Sequence, residues 1–180
     1  MAKNRAAELA ASREAWRGRM LTLNVDTVNL PNGLTVDLEI VRHPGAAAVV
    51  PVDKDNHVIL VRQVRHATGG WLLEVPAGKL DHGEAPEVCA ARELEEEAGV
   101  VAGKLVPMGS IWTTPGFSDE RIWLYLATDL VQAQQDLDVD EVLTIERLPL
   151  KEAVERALSG DIDDAKSVCA LLRARHHLLG

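Results

Sequence analysis

Four glutamates lie within the five residues from Glu93 to Glu97. On an α-helix, Glu93, Glu96 and Glu97 are spaced i, i+3 and i+4, so their side chains share one face. Carboxylates this close repel one another, whereas hard divalent cations such as Mg²⁺ bind through a few such oxygens together with substrate phosphates. The pattern therefore allows two interpretations: a divalent-metal site, or a solvated helix face on which Arg92 pairs with Glu96.

The spacing around these glutamates separates the two interpretations. Gly78 is followed by five residues, then Glu84, then seven residues, and then the run RELEEEAGV at residues 92–100. This arrangement resembles the Nudix box of the Nudix hydrolases at every specified position. The resemblance implies a loop–helix–loop that binds divalent metal ions and cleaves a nucleoside diphosphate linked to another group. It favours the metal site over the solvated face.

The resemblance also implies roles for individual residues. The implied metal ligands are Glu93, Glu96, Glu97 and the backbone carbonyl of Ala77. Glu93 and Glu97 are also expected to be catalytic, and the expected ion is Mg²⁺, with Mn²⁺ as an alternative. Arg92 is expected to orient the glutamates by pairing with them, while Glu84 braces the loop instead of binding metal.

The sequence around the box indicates a substrate. The stretch VRQVRHATGGWLLEVPAGKLDHGE resembles the bacterial ADP-ribose pyrophosphatase branch of the family, and Pro115 follows Gly99 by sixteen residues, as in that branch. The implied reaction is metal-dependent hydrolysis of ADP-ribose to AMP and ribose 5-phosphate. The alternatives are another nucleoside-diphosphate sugar, such as GDP-mannose, or a non-catalytic domain that binds a nucleotide. The intact box glutamates argue against the last of these.

Several residues outside the box are candidates for substrate binding. Arg65 is a candidate phosphate contact, since a guanidinium can pair bidentately with phosphate; the alternative is a surface arginine. Glu74 could touch the substrate or a metal-bound water, or it could be a strand-end acid paired with an arginine. The turn containing Pro115, Gly116 and Phe117 could form a wall of the adenine or ribose pocket, and a loop is a poor core site for Phe117, the only phenylalanine.

A general base is expected from a loop outside the box. Four acids compete for this role: Asp136, Asp138, Asp140 and Glu141. The register before the next strand favours Glu141, and the alternative is a solvated acidic loop. A base on a loop would also allow closure over bound substrate.

Composition limits the partners. The net charge of −9 argues against a general nucleic-acid or membrane surface, which would need basic patches. Two cysteines provide neither a disulfide framework nor zinc-ligand spacing. We find no signal peptide and no apolar run long enough to span a membrane, so a cytoplasmic protein is expected.

The elements that must position these residues can be predicted along the chain. Residues 3–17 indicate a short polar helix or a frayed arm, and residues 21–43 a β-hairpin around Asn32-Gly33. A second hairpin is expected around residues 54–56. A helix is expected over residues 84–98, with Pro86 in its first turn and Gly99 ending it. Three further strands and two closing helices complete the prediction.

The expected fold class is α+β. The family resemblance implies the Nudix fold, an α/β/α sandwich around a mixed, largely antiparallel sheet with an N-terminal β-hairpin extension. Residues 1–43 are expected to form an arm and hairpin that mediate homodimerisation, and residues 44–180 the hydrolase domain.

Overall fold

A computed structural model describes residues 7–137, 139 and 141–179. The chain divides into two compact units. The smaller unit comprises the residues up to Gly45 together with Trp112–Arg121, and the larger unit comprises Ala46–Ile111 and the residues from Ile122 onward. Within the described ranges, no helix is long and apolar enough to cross a membrane.

The smaller unit is built on a three-stranded antiparallel sheet of strands β1, β2 and β3 in that order. β1 is Glu8–Arg17, β2 is Thr22–Asn29 and β3 is Thr35–Arg42. The turn between β2 and β3 contains Gly33 with a φ of 87°, a backbone conformation that favours glycine. The hairpin predicted around this turn is confirmed.

The prediction of a helix or frayed arm at residues 3–17 is wrong for the part of that segment that the structure describes. β1 pairs with β2 over its full length, from Glu8 opposite Asn29 to Arg17 opposite Thr22. Every residue of β1 is exposed, so burial of an apolar face does not determine the conformation of this segment. Pairing with β2 satisfies the backbone hydrogen-bonding groups instead.

Where the structure describes it, the larger unit contains two sheets, three α-helices and one short 3-10 helix, His66–Thr68. Its strands are β4 Ala46–Pro51, β5 His57–Arg65, β6 Gly70–Glu74, β7 Ala77–Lys79, β8 Val100–Trp112, β9 Arg121–Gln132 and β10 Leu143–Pro149. Its α-helices are α1 Pro86–Ala98, α2 Leu150–Ser159 and α3 Ala165–Leu179. One sheet has the order β10-β5-β6 and is antiparallel, and the other has the order β7-β4-β9-β8, with β4 and β9 parallel.

The second predicted hairpin is present only at its turn. A single antiparallel bridge joins Val52 to Val58, and beyond it β4 and β5 enter different sheets. The reason is that β4 already has a neighbour on each edge, β7 on one side and β9 on the other. No edge of β4 remains to pair with β5, so the simple hairpin expectation is wrong.

The core lies on both faces of β4, all of whose residues are buried. Ala48 packs in one apolar cluster with Leu171 of α3, while Ala47 packs in a second cluster with Leu94 of α1. Successive side chains of a strand point to opposite faces, so α1 covers one face and α3 the other. The predicted α+β class and its helix–sheet–helix layering are confirmed.

Helix α1 begins two residues after its predicted start and ends where predicted. Pro86 stands at its first position, where the missing N–H costs nothing, and Gly99 ends it with a φ of 63°. The buried face of α1 carries two acids, Glu93 and Glu97, beside its apolar residues. These two carboxylates define the candidate site.

Candidate functional site

Arg92 joins the acids of α1 to the loop that precedes the helix. Its guanidinium donates to both carboxylate oxygens of Glu84 at 3.0 Å, to Glu93 Oε1 at 2.7 Å and to Glu96 Oε2 at 3.0 Å. Glu84 in turn accepts the backbone N–H of Asp81 at 2.9 Å. The hydrogen bonds from Arg92 lower the pKa of Glu84 to about 2. The predicted pairing of Arg92 with the glutamates is confirmed.

Glu97 and Glu93 are nearly excluded from solvent. Glu97 is 1% exposed and Glu93 is 7% exposed. Burial raises the pKa of Glu97 to about 8, although the Ala77 N–H donates to its Oε2 at 2.9 Å. Burial also raises the pKa of Glu93. Two carboxylates are therefore held in a position that favours a counter-charge.

Gly78 on β7 lies directly beside Glu93. A Cβ added at Gly78 would lie 1.8 Å from Glu93 Oε1, far closer than two non-bonded atoms can approach. The glycine therefore leaves the space that the Glu93 carboxylate occupies, and any larger residue would displace it.

The arrangement of side chains in the structure is not that of a formed metal site. Among the described residues, no three acidic, imidazole or thiol groups are close enough together to hold an ion. Glu93 and Glu96 are turned towards Arg92, and Glu97 towards the Ala77 N–H. The chemistry of the donors nevertheless fits a hard divalent cation, because carboxylate oxygens are its preferred ligands.

Arg65 and Glu74 form a bidentate ion pair. Arg65 donates from Nε to Glu74 Oε1 at 2.9 Å and from Nη2 to Oε2 at 3.0 Å, and Lys166 also contacts the same carboxylate. The Arg65 side chain is 39% exposed, and its charge partly opposes the burial that raises the pKa of Glu97. The structure thus shows the arginine-paired acid that was the alternative interpretation of Glu74. Substrate contacts of both residues stay predictions.

Glu141, which is half-buried, lies close enough to the α1 acids to affect them electrostatically. After burial, its negative charge is among the factors that raise the pKa of Glu93 and of Glu97. Asp136 is exposed, and its backbone N–H donates to the Glu96 carbonyl at 3.1 Å. Asp138 and Asp140 lie outside the described residues. The choice of Glu141 as general base remains a prediction, supported by this proximity.

A cavity of about 480 Å³ lies where the exposed edge of α1 meets the segment after β9. Its lining residues are Arg92, Glu95, Glu96, Gln134 and Asp136. The segment is tied to the helix end, because Gln135 Nε2 donates to the Glu97 carbonyl at 2.6 Å. The predicted metal ligand Glu96 thus faces a space large enough for part of a small molecule.

Pro115, Gly116 and Phe117 belong to the smaller unit, where they form a turn. All three are exposed, and Phe117 is 57% exposed. The Phe117 carbonyl accepts the Val41 N–H at 2.8 Å, so the turn is attached to β3. Their role in substrate binding stays a prediction.

Three residues at the start of α3 that contact the site region were missed by the sequence analysis. They are Asp164, Lys166 and Ser167. An aspartate three residues before a serine could have indicated a helix cap. The pairing of Lys166 with Glu74 bridges 92 residues of sequence and has no local signal.

Comparisons with known proteins agree in sequence and structure. A family model described as the NUDIX domain matches residues 41–171. The chain is 39% identical over 163 residues to the ADP-ribose pyrophosphatase of Bacillus subtilis (strain 168), covering 89% of this chain and 88% of the relative. It is 42% identical over 162 residues to the methanol dehydrogenase activator of Bacillus methanolicus, with the same coverages of 89% and 88%. A crystal structure of an ADP compounds hydrolase matches with a TM-score of 0.84 at 27% identity, covering 98% of this chain and 96% of that chain.

Proposed function

This chain belongs to the NUDIX family, and on that premise we propose that it hydrolyses the pyrophosphate of ADP-ribose to AMP and ribose 5-phosphate. The observation that carries the proposal is the pair of buried carboxylates, Glu93 and Glu97, on the face of α1 beside Gly78. The guanidinium of Arg65 lies within electrostatic reach of Glu97. The larger unit thus contains both the carboxylates suited to a metal ion and a guanidinium suited to a phosphate.

The family generally uses divalent metal ions, and we propose Mg²⁺ here, with Mn²⁺ as an alternative. The residues that would hold the ion are Glu93, Glu96, Glu97 and the carbonyl of Ala77. A bound ion would neutralise charge on the pyrophosphate and lower the pKa of a bound water. Gly78 supports this assignment, because the absence of a side chain there lets the Glu93 carboxylate lie directly beside β7, next to Ala77.

Residues of this chain bind the substrate phosphate, orient the carboxylates and accept a proton. Arg65 binds a phosphate oxygen pair through the N–H groups that Glu74 does not occupy. Glu141 accepts a proton from the attacking water, which requires only that it reach the water when the loop closes. Arg92 orients Glu93 and Glu96, because its Nη1 donates to both carboxylates. Phosphoryl transfer depends mainly on such positioning and charge stabilisation.

The proposal extends to the rest of the molecule. The turn of Pro115, Gly116 and Phe117 contacts the adenine or the adjacent ribose, and residues 1–43 mediate a homodimer. The net charge of −9 supports a partner that is a small molecule, not a nucleic acid or a membrane. The free thiols Cys89 and Cys169 are consistent with a reducing cytoplasm.

The test is release of AMP from ADP-ribose with Mg²⁺, run beside GDP-mannose. Glu97→Gln is expected to lower kcat by about a hundredfold or more. Glu87→Gln, an exposed acid in the first turn of the same helix that does not line the cavity, serves as the matched control. Preferred turnover of GDP-mannose would reject ADP-ribose as the substrate. Turnover of neither compound by folded protein would reject both substrates and point to another nucleoside-diphosphate compound or to a nucleotide-binding role.

A further inference from the structure

The first turn of α3 contributes a cation to the same cluster as Arg65. Glu74 is 1% exposed and accepts hydrogen bonds from Arg65 at 2.9 and 3.0 Å and also from Lys166. The Lys166 side chain is 13% exposed. Charges buried this deeply are tolerated only when their geometry is well satisfied. Glu74 therefore has its orientation set by two cations from different elements.

Asp164 anchors the other side of the cluster. Its Oδ2 accepts Lys166 Nζ at 3.0 Å, the Ser167 N–H at 2.9 Å and the Ser167 hydroxyl at 2.5 Å. These bonds cap the start of α3 and fix the Ser167 side chain. Ser167 is fully buried and its Oγ accepts the Val75 N–H at 2.9 Å. We name Asp164, Lys166 and Ser167 the α3 clamp.

The segment that the α3 clamp holds leads directly into the candidate site. Val75 is two residues before Ala77, whose N–H donates to Glu97 at 2.9 Å. Between them, the Pro76 carbonyl accepts the N–H of Val49 on β4 at 2.9 Å. Val75 is thus held by the α3 clamp, Pro76 by β4 and Ala77 by the predicted metal ligand Glu97.

We propose that Lys166 is a positioning residue for the hydrolysis reaction and acts by fixing Glu74 and, through it, the Arg65 guanidinium. A guanidinium has five N–H donors in one rigid plane. Once Glu74 fixes two of these donors, the direction of the other three is determined. This inference rests on the proposed function, in which Arg65 binds a phosphate of the substrate.

Steady-state kinetics with ADP-ribose and Mg²⁺ test this role. Lys166→Met is expected to raise KM about tenfold with a smaller change in kcat, because Arg65 binds the phosphate before the chemical step. Lys166→Arg keeps a cation within reach of Glu74 and should recover most of the loss. Lys151→Met removes an exposed lysine of α2 and should leave KM unchanged. An unchanged KM in Lys166→Met would overturn the proposal.

A double-mutant cycle with Arg65→Ala separates positioning from a general structural effect. If Lys166 acts through Arg65, Lys166→Met should add nothing to the KM of Arg65→Ala. An additive increase in KM would show that Lys166 acts by another route and would overturn the proposal. Should Lys166→Met not fold, Lys166→Gln is measured in the same cycle.

Hydrogen exchange of the metal-free protein gives a readout that does not depend on activity. Lys166→Met is expected to speed amide exchange in residues 72–80, whereas Lys151→Met should not. Equal amide exchange rates of residues 72–80 in the two variants would show that Lys166 does not hold this segment and would contradict the proposal. If the wild type does not hydrolyse ADP-ribose, the proposed function fails, while the exchange result still decides whether Lys166 holds this segment.

Discussion

Arg92 is a single cation that pairs with three carboxylates. It contacts Glu84, Glu93 and Glu96, so the cluster retains a net negative charge. Glu97 lies deeper and has an uncharged donor, the Ala77 N–H, as its hydrogen-bond partner. The residues of the box therefore form a fixed but under-compensated acidic site. A divalent cation would supply positive charge to these carboxylates, which gives Arg92 and the acids around it a physical reason for their types.

Gly78→Ala should impair activity far more than stability. The new Cβ would displace the Glu93 carboxylate, which is the end of a flexible side chain and can move without disturbing the backbone. We expect kcat/KM to fall about tenfold or more, because a predicted metal ligand moves, with a stability change of about 0.5 kcal/mol. Activity assays and thermal unfolding check this. Gly70→Ala, where a Cβ meets open space, is the control; equal activity losses would refute the explanation.

Glu84→Gln should destabilise the protein in a pH-dependent way. Because Arg92 lowers the pKa of Glu84 to about 2, the ionised carboxylate stabilises the folded state above the ordinary value of 4.5. This contribution is lost as the pH falls from 4.5 through about 2. We expect Glu84→Gln to lower the free energy of unfolding by about 2 kcal/mol at pH 6, and this difference should shrink below pH 4.5.

Urea unfolding of wild type and Glu84→Gln at several pH values measures this difference. Glu155→Gln removes an exposed partner of Lys151 on α2 and should cost about 0.5 kcal/mol or less at every pH. A constant difference between wild type and Glu84→Gln down to pH 3 would contradict the assigned cause.

At the scale of elements, the sequence predicted those helices and turns whose ends are set by residues close by in the chain. Helix α1 was predictable because Pro86 and Gly99 act within one turn of the chain. β1 was not predictable, because its ten residues carry no strong hydrophobic periodicity and its pairing with β2 depends on tertiary structure. The separation of β4 from β5 likewise depends on which strands occupy the edges of β4.

The same distinction applies to the site. The contacts of Arg92 were predictable because Glu93 and Glu96 lie within one helical turn of it. The contact between Lys166 and Glu74 joins α3 to β6, which are 92 residues apart in sequence at this point, and it follows only from the packed structure. Sequence patterns therefore reveal the residues of a motif, but they do not reveal the distant residues that hold the motif in place.

The end of α1 provides a test of how an element supports the site. Gly99 and Gly160 end α1 and α2 with φ angles of 63° and 89°. Alanine at either position should cost about 1 kcal/mol, because a Cβ disfavours this conformation. The Gly99 carbonyl accepts the Ala133 N–H at 2.8 Å and so anchors the segment leading to Glu141.

We therefore expect Gly99→Ala to lower kcat several-fold in addition to its effect on stability, whereas Gly160→Ala should lower stability alone. Chemical unfolding and steady-state kinetics of both variants check this. Equal kinetic effects would indicate that the segment after β9 does not depend on the end of α1.

At the scale of the whole molecule, the smaller unit has a sheet with a long exposed edge strand. All ten residues of β1 are exposed, including Leu9 at 60% and Trp16 at 58%. A long edge strand with exposed apolar side chains is a surface on which another chain can pair or pack. This exposure supports the proposal that the residues before 44 mediate a homodimer.

Light scattering should give a mass of twice 19.6 kDa for the wild type. The double variant Leu9→Lys and Trp16→Lys places like charges on the proposed contact surface and should shift the mass towards that of one chain. Leu158→Lys, which changes a 65% exposed leucine of α2, should leave the mass unchanged. A wild-type mass of one chain, or a double variant that stays dimeric, would remove β1 from the proposed interface. Loss of the dimer with retained hydrolysis of ADP-ribose would show that one chain carries the complete catalytic site.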